Sequence, residues 1–135
     1  MGTRCLTVIN DDDLMEEICV IYRQHDGYPR GHGLELYNFL DKFYIVNGIG
    51  LNDERKIANG MSCLAAQLIA HFKEGAGSIY IHQAGTRDIG EAYIYVITYD
   101  SEKDKIVIKV NDAGSDTLIF KGGVELYQRW IYNRS

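Results

Sequence analysis

The chain has 135 residues, 46% hydrophobic and 24% charged, with a formal net charge of −5. That composition belongs to an ordinary globular domain and leaves no room for wholesale disorder. The acidic balance argues against a protein that lives on a DNA or RNA backbone, which needs a basic face, and no apolar run approaches the ~20 residues of a membrane-spanning helix.

A single domain over residues 1–135 is expected. Ten tyrosines stand against four phenylalanines and one tryptophan, a skew towards the aromatic that carries both apolar area and a hydroxyl and so suits surfaces and pockets. The first residues lack the basic-then-apolar order of a secretion signal. "MGTRCL" has Leu6 where a myristoylation site needs Ser or Thr. Cys5, Cys19 and Cys63 each lie in an apolar run and none forms a CxxC pair, which reads as buried, reduced thiols in a cytoplasmic protein.

"TRCLTVI" (3–9) and "EICVIYR" (17–23) are rich in β-branched residues and flank the turn-like "NDDDLME". That pattern predicts a β-hairpin. After a glycine- and proline-rich joint, "LELYNFLDKFY" sets Leu36, Tyr37, Leu40 and Tyr44 at helical spacing, which predicts a helix of about three turns. "IVNGIGLNDERKIANG" reads as a connecting loop. In "MSCLAAQLIAHFKEGAG", Leu64, Leu68 and Phe72 repeat every four residues, so a second helix follows, with Lys73 in its last turn and Gly75 ending it.

Three strands come next, "GSIYIHQ", "EAYIYVITY" and "DKIVIKV", joined by the turns "AGTRDIG" and "DSEKD". In the middle one, Tyr93, Tyr95, Ile97 and Tyr99 alternate with Ile94 and Val96, and the tyrosine face is expected to point outward. "TLIFKGGVELYQRWIYNRS" is either a strand followed by a helix with Leu126, Trp130 and Ile131 on one face, or two strands around Gly122 and Gly123; the first is preferred. The fold class expected is α+β, a mainly antiparallel sheet of about five or six strands with two or three helices packed on one face.

The joint "YRQHDGYPRGHG" (22–33) draws the eye for chemistry. Gly27 can take a positive φ, Pro29 fixes its own φ, and Gly33 sits where the helix begins. Turn geometry explains these backbone residues but not the side chains between them. Tyr28, Arg30 and His32 precede a helix N-terminus, where free N–H groups and the helix dipole favour an anion. Asn59, ahead of Gly60, is an N-cap at the second helix and also a candidate ligand contact, since Gly60 lets a backbone come close to whatever lies ahead. Arg87 sits in a turn beside Asp88, next to a strand bearing Tyr93, so that a guanidinium fork and an aromatic face could meet one ligand. Arg4 and Arg23 are further possibilities on the adjacent strands.

Metal chemistry is not expected: His25, Asp26 and His32 straddle a proline turn and lack the regular spacing of ligand motifs. Cys63, in the first turn of a helix, has no base partner to make it a nucleophile. No GxSxG elbow, P-loop or dinucleotide fingerprint occurs. No cofactor and no catalytic set are therefore expected.

Together "MGTRCLTVI", "YRQHDGYPRGHGLEL", "NGIG", "NGMSCLAAQLIAHFK" and "GSIYI…GTRDIGEAYIYVI" resemble a family of small, mostly uncharacterised proteins of tailed bacteriophages and prophages, over most of the chain to about Ile97. The resemblance implies a phage accessory protein acting in the cytoplasm of a host bacterium, and no mechanism. By analogy of size and pocket chemistry, one function suits such a protein. It would sequester a cyclic nucleotide or cyclic ADP-ribose signal of bacterial defence, without turnover and as a homo-oligomer, inhibiting that defence. Arginines and helix N-termini would hold phosphates, and tyrosines would stack on bases. The alternatives are an inhibitor that binds a host enzyme, and a hydrolase of the same signals using His25 or His32.

Overall fold

The computed structural model describes residues 2–11, 16–48 and 55–134. Eight strands and three α-helices occur among them. They are β1 (Cys5–Asn10), β2 (Glu17–Arg23), α1 (Leu34–Leu40), β3 (Tyr44–Val46), β4 (Ile57–Asn59), α2 (Gly60–Phe72), β5 (Ile79–His82), β6 (Tyr93–Asp100), β7 (Lys105–Asp112), β8 (Thr117–Gly123) and α3 (Val124–Tyr132). The class is α+β. Six strands form one sheet in the order β5-β2-β1-β6-β7-β8, antiparallel except where β6 runs parallel to β1.

The predicted hairpin is present, with Thr7 opposite Ile21 and Ile9 opposite Cys19; its turn, 12–15, lies outside the described residues. Every residue of β1 is buried. An apolar run without polar alternation is what a strand covered on both faces requires. One face, bearing Cys5, Ile9, Ile21, Tyr95, Ile97 and Ile108, packs against Leu36, Leu40, Leu64, Leu68, Tyr127 and Ile131 of the three helices. Truncating one such buried leucine to alanine costs about 2–5 kcal/mol.

The other face carries Leu6, Val8 and Val20, all without exposure, with Ile89, Ile94 and Val96 packed on them. This second cluster corrects the expectation that "AGTRDIG" is a hairpin turn. β5 pairs with β2, and β6 is inserted beside β1, so residues 83–92 cross the sheet and put Ile89 down on it. Arg87 of this crossover pairs with Glu17 at 2.7 Å, and the Glu91 carboxylate accepts from the N–H groups of Asp88 (2.9 Å) and Ile89 (2.8 Å).

The tyrosine face of β6 also turns out to be the helix-covered one. Tyr95 has no exposure, and Tyr93 and Tyr99 pack against the core. Both faces of this strand are apolar enough to be inside, and alternation alone does not say which meets the helices.

The first helix is shorter than its spacing predicts. A wide π-type turn, Pro29–Gly33, leads into the seven residues of α1, and the chain leaves the helix at Lys42, whose φ is +58°. Tyr44 belongs to β3. The expected loop after it contains the strands β3 and β4, which pair in parallel with Tyr44 opposite Ile57; residues 49–54 lie outside the described ones. Lys56 ties this small sheet to α1 by donating to the carbonyls of Asn38 (3.3 Å) and Asp41 (3.1 Å). In α3 the buried residues are Tyr127 and Ile131, while Leu126 is 54% exposed, so the expected Leu126 face is displaced by one position. No helix among the described residues is long and apolar enough to cross a membrane.

Candidate functional site

The joint is held by close approach and two tyrosine hydroxyls. Asp26, not Gly27, takes the positive φ, at +60°. Gly27 is needed because a Cβ there would stand 2.8 Å from the Cβ of Cys5 and from the backbone of Arg4. Its N–H donates to Thr3 O at 2.9 Å, and its carbonyl accepts from the Tyr95 hydroxyl at 2.7 Å. Six residues on, the Tyr127 hydroxyl donates to Gly33 O at 2.8 Å. Burial pushes both tyrosine pKa values up, so the hydroxyls stay protonated as donors.

Within this clamp His32 is buried, at 2% exposure. Its Nε2 lies 2.7 Å from Thr7 Oγ1 and its Nδ1 lies 3.1 Å from Arg23 Nη1. A guanidinium only donates, so Nδ1 is the acceptor and Nε2 carries the proton, given to Thr7. Burial, with the Arg23 charge beside it, holds the imidazole pKa down to about 3. Arg23 in turn donates through Nε to His25 O (2.7 Å), pairs with Glu35, and stands 4.0 Å from Asp26. A chain of polar contacts thus runs from the core strand β1 to a cleft of about 310 Å³ at the surface, where Arg23 and Glu35 meet His71, Phe72, Glu74 and Ser78.

The other candidate residues are dispersed. Tyr28 is 43% exposed at the start of the wide turn. Arg30, in the same turn, donates to Tyr132 O at 3.1 Å and so closes the C-terminal end of α3. Arg87 is held by Glu17 and Thr86 O, and the Arg4 guanidinium lies against Gly90 of the crossover. Tyr93 is half-buried, its ring 6.5 Å from that of Tyr95.

Asn59 does not cap α2; its Oδ1 accepts from the Gly48 N–H at 2.8 Å. The two glycine-led helix starts do not converge. The His32 ring meets Phe72, the last residue of α2, with ring centroids 5.3 Å apart. At 1.5 Å per residue, Gly60 lies about 18 Å further along that helix.

A larger cleft, about 570 Å³, opens elsewhere, where the end of α1, the start of β3, the β6–β7 turn and the start of α3 meet. Phe43, Tyr44, Tyr99 and Leu126 supply apolar and aromatic wall, and Asp41, Lys42, Asp104, Lys105 and Glu125 supply charge. The Tyr99 hydroxyl donates to Asp104. The N-cap of α3 is Gly123, which has no side chain to bond the helix's first N–H groups, and the Lys105 ammonium stands 3.8 Å from the position a Cβ on Gly123 would occupy.

Sequence reasoning missed this place, although its signal was present. Gly122 and Gly123 precede an apolar-periodic helix just as the glycines before α1 and α2 do. Comparisons with family models, with curated proteins and with solved structures gave no match, leaving the geometry as the ground for function.

Proposed function

We propose that the protein is a non-catalytic binding protein that sequesters a small anionic, nucleotide-like ligand in the cleft between α1, β3, the β6–β7 turn and α3. The observation that carries this reading is the meeting, in one cleft of about 570 Å³, of Tyr44 and Tyr99 with Lys105 and the uncapped start of α3. Clefts of roughly 300–1,000 Å³ with mostly apolar walls and a few placed polar groups are the usual form of small-ligand sites. Backbone N–H groups and Lys105 suit phosphate. The tyrosine faces suit a base. Asp41 and Glu125 suit ribose hydroxyls, which donate to carboxylates.

Binding without turnover fits the state of the groups that would otherwise react. Both ring nitrogens of His32 are engaged inside the protein, and burial pushes the Cys5 thiol up to about 12. The setting proposed is that of a phage or prophage accessory protein in a bacterial host, the ligand being a cyclic nucleotide or cyclic ADP-ribose defence signal. Tight sequestration needs a small ligand enclosed on several sides, which a second copy of the chain would supply.

The test is native mass spectrometry of the protein with a panel of cyclic nucleotides and cyclic ADP-ribose isomers, followed by heat release and identification. The expected result is an intact ligand at a fixed ratio per subunit, lost at least tenfold in affinity in Lys105→Ala and Tyr44→Ala variants that melt like the parent. A chemically altered ligand, or none, overturns the reading. A second reading, an inhibitor that binds a host protein, is favoured by the apolar exposure of Leu118 (52%), Leu126 (54%) and Tyr132 (56%) on β8 and α3. It predicts a stable stoichiometric complex that Leu126→Glu abolishes.

A further inference from the structure

β5 is an edge strand, bonded to β2 on one side only. Gln24 N–H donates to Ser78 O at 3.0 Å, in register with Tyr22 opposite Tyr80 and Val20 opposite His82. Antiparallel alternation then points the backbone groups of Tyr80 and His82 at β2 and those of Ile79, Ile81 and Gln83 away from the sheet. An exposed row of this kind is a template for another strand.

Three of the outward groups are already occupied. The Ile79 N–H donates to Gly77 O at 2.8 Å, and Gln83 O accepts from the Thr86 N–H (3.2 Å) and hydroxyl (2.7 Å). Ile79 O accepts from Lys73 Nζ at 2.8 Å. The same ammonium donates to Gly77 O at 2.8 Å and lies 5.5 Å from the centre of the Tyr80 ring, so Lys73 straps the edge. Left without a partner among the described residues are the Ile81 N–H, the Ile81 carbonyl and the Gln83 N–H.

These groups complement themselves. Let two copies of β5 meet antiparallel about a two-fold axis at Ile81. Ile81 of each copy then exchanges both bonds with Ile81 of the other, and each Gln83 N–H faces the other copy's Ile79 carbonyl. The two groups engaged locally, Ile79 N–H and Gln83 O, would have faced one another. The pattern is thus complete at four bonds once Ile79 O is free, and Lys73 is what occupies it. The Ile81 side chains, 66% exposed in the single chain, become cross-strand neighbours.

We propose that β5 is a two-fold pairing edge for a second copy of this chain, and that the Lys73 ammonium holds it closed. Neutralising that amine, by substitution or acylation, opens the edge to dimer formation. The opposite edge, β8, carries Lys121 and a bulge at Ile119, skipped where Val110 pairs with Phe120 and Asn111 with Leu118; both are ordinary guards against strand addition.

The experiment measures disulfide formation between two chains carrying Ile81→Cys, with Cys63→Ser to remove the half-buried thiol. Paired Cα atoms in such a ladder stand about 5.5 Å apart, within disulfide reach. With Lys73 retained, the chains stay largely uncrosslinked. With Lys73→Ala added, crosslinking rises at least about tenfold, since two of the four bonds are restored. Lys73→Gln gives the same rise and serves where the alanine variant melts early. Equal crosslinking with and without Lys73, or none in any variant, overturns the proposal.

Discussion

Arg23 Nη1 lies 3.1 Å from His32 Nδ1, and this one contact fixes the proton on the far nitrogen, 2.7 Å from Thr7 Oγ1. A histidine at the centre of the helix–sheet junction is thereby a neutral hydrogen-bonding residue. Around the ring stand Phe72, Tyr95, the neutral Thr7 hydroxyl and the guanidinium.

That state makes stability depend on pH in one direction. His32 has a folded pKa of about 3 against an ordinary 6.5, so between those values the unfolded chain takes up a proton that the folded chain refuses. The contribution is whole above pH 6.5 and lost as pH falls towards 3, by about 1.4 kcal/mol per unit. Urea midpoints at pH 7, 6, 5 and 4 should show this slope. His32→Gln, which gains no proton, should be less stable at pH 7 and have a flatter profile; an unchanged slope would falsify the assignment.

The joint makes a second prediction. Gly27→Ala drives a methyl group to within 2.8 Å of the Cβ of Cys5, so a loss of about 1–3 kcal/mol is expected from overpacking. Tyr95→Phe keeps the ring and leaves the buried Gly27 carbonyl unpaired, at about 1–3 kcal/mol. Because both act on one contact, the double variant should lose less than the sum. Additive losses in chemical denaturation would show that the hydroxyl and the close approach are independent.

How far the sequence is legible follows from which contacts are local. The β1–β2 hairpin and α2 show in alternation and in the four-residue spacing of Leu64 and Leu68, because each pattern answers to one adjacent surface. The insertion of β6 beside β1 does not show, since nothing in "EAYIYVITY" distinguishes β1 from β5 as its neighbour. Once the crossover covers Leu6, Val8 and Val20, both faces of β6 are interior and its alternation loses its meaning. The site candidates fared as their chemistry required. Arg30, Arg87 and Asn59 have side chains that bond equally well to a ligand or to their own fold, and residues distant in sequence, Tyr132, Glu17 and Gly48, claimed them.

Thiol reactivity offers a third prediction. Burial raises the Cys5 pKa to about 12, the nearby Arg23 charge offsetting part of the rise, and burial raises that of Cys19 as well. At pH 8 only about one Cys5 in ten thousand is thiolate, and the thiolate is the reacting form. Titration with an aromatic disulfide should modify the half-buried Cys63 alone in the native protein and all three cysteines in denaturant. Fast native modification of two or more would contradict the packing of β1 and β2.

Arg87 supplies the fourth. It reaches from the crossover to Glu17 of β2 at 2.7 Å, with side-chain exposures of 34% and 23%. A pair this open to water is worth at most about 1 kcal/mol, yet it is one of few polar ties between the crossover and the sheet beneath it. Arg87→Ala should therefore cost little in global stability. It should quicken amide hydrogen exchange over residues 83–92 and in the Leu6–Val8–Val20 layer, where local opening is governed by those few contacts. Since the cleft bearing Lys105 is built from other elements, ligand uptake should be unaffected by Arg87→Ala. A loss of uptake with unchanged exchange would instead make Arg87 a ligand contact, and the crossover the site.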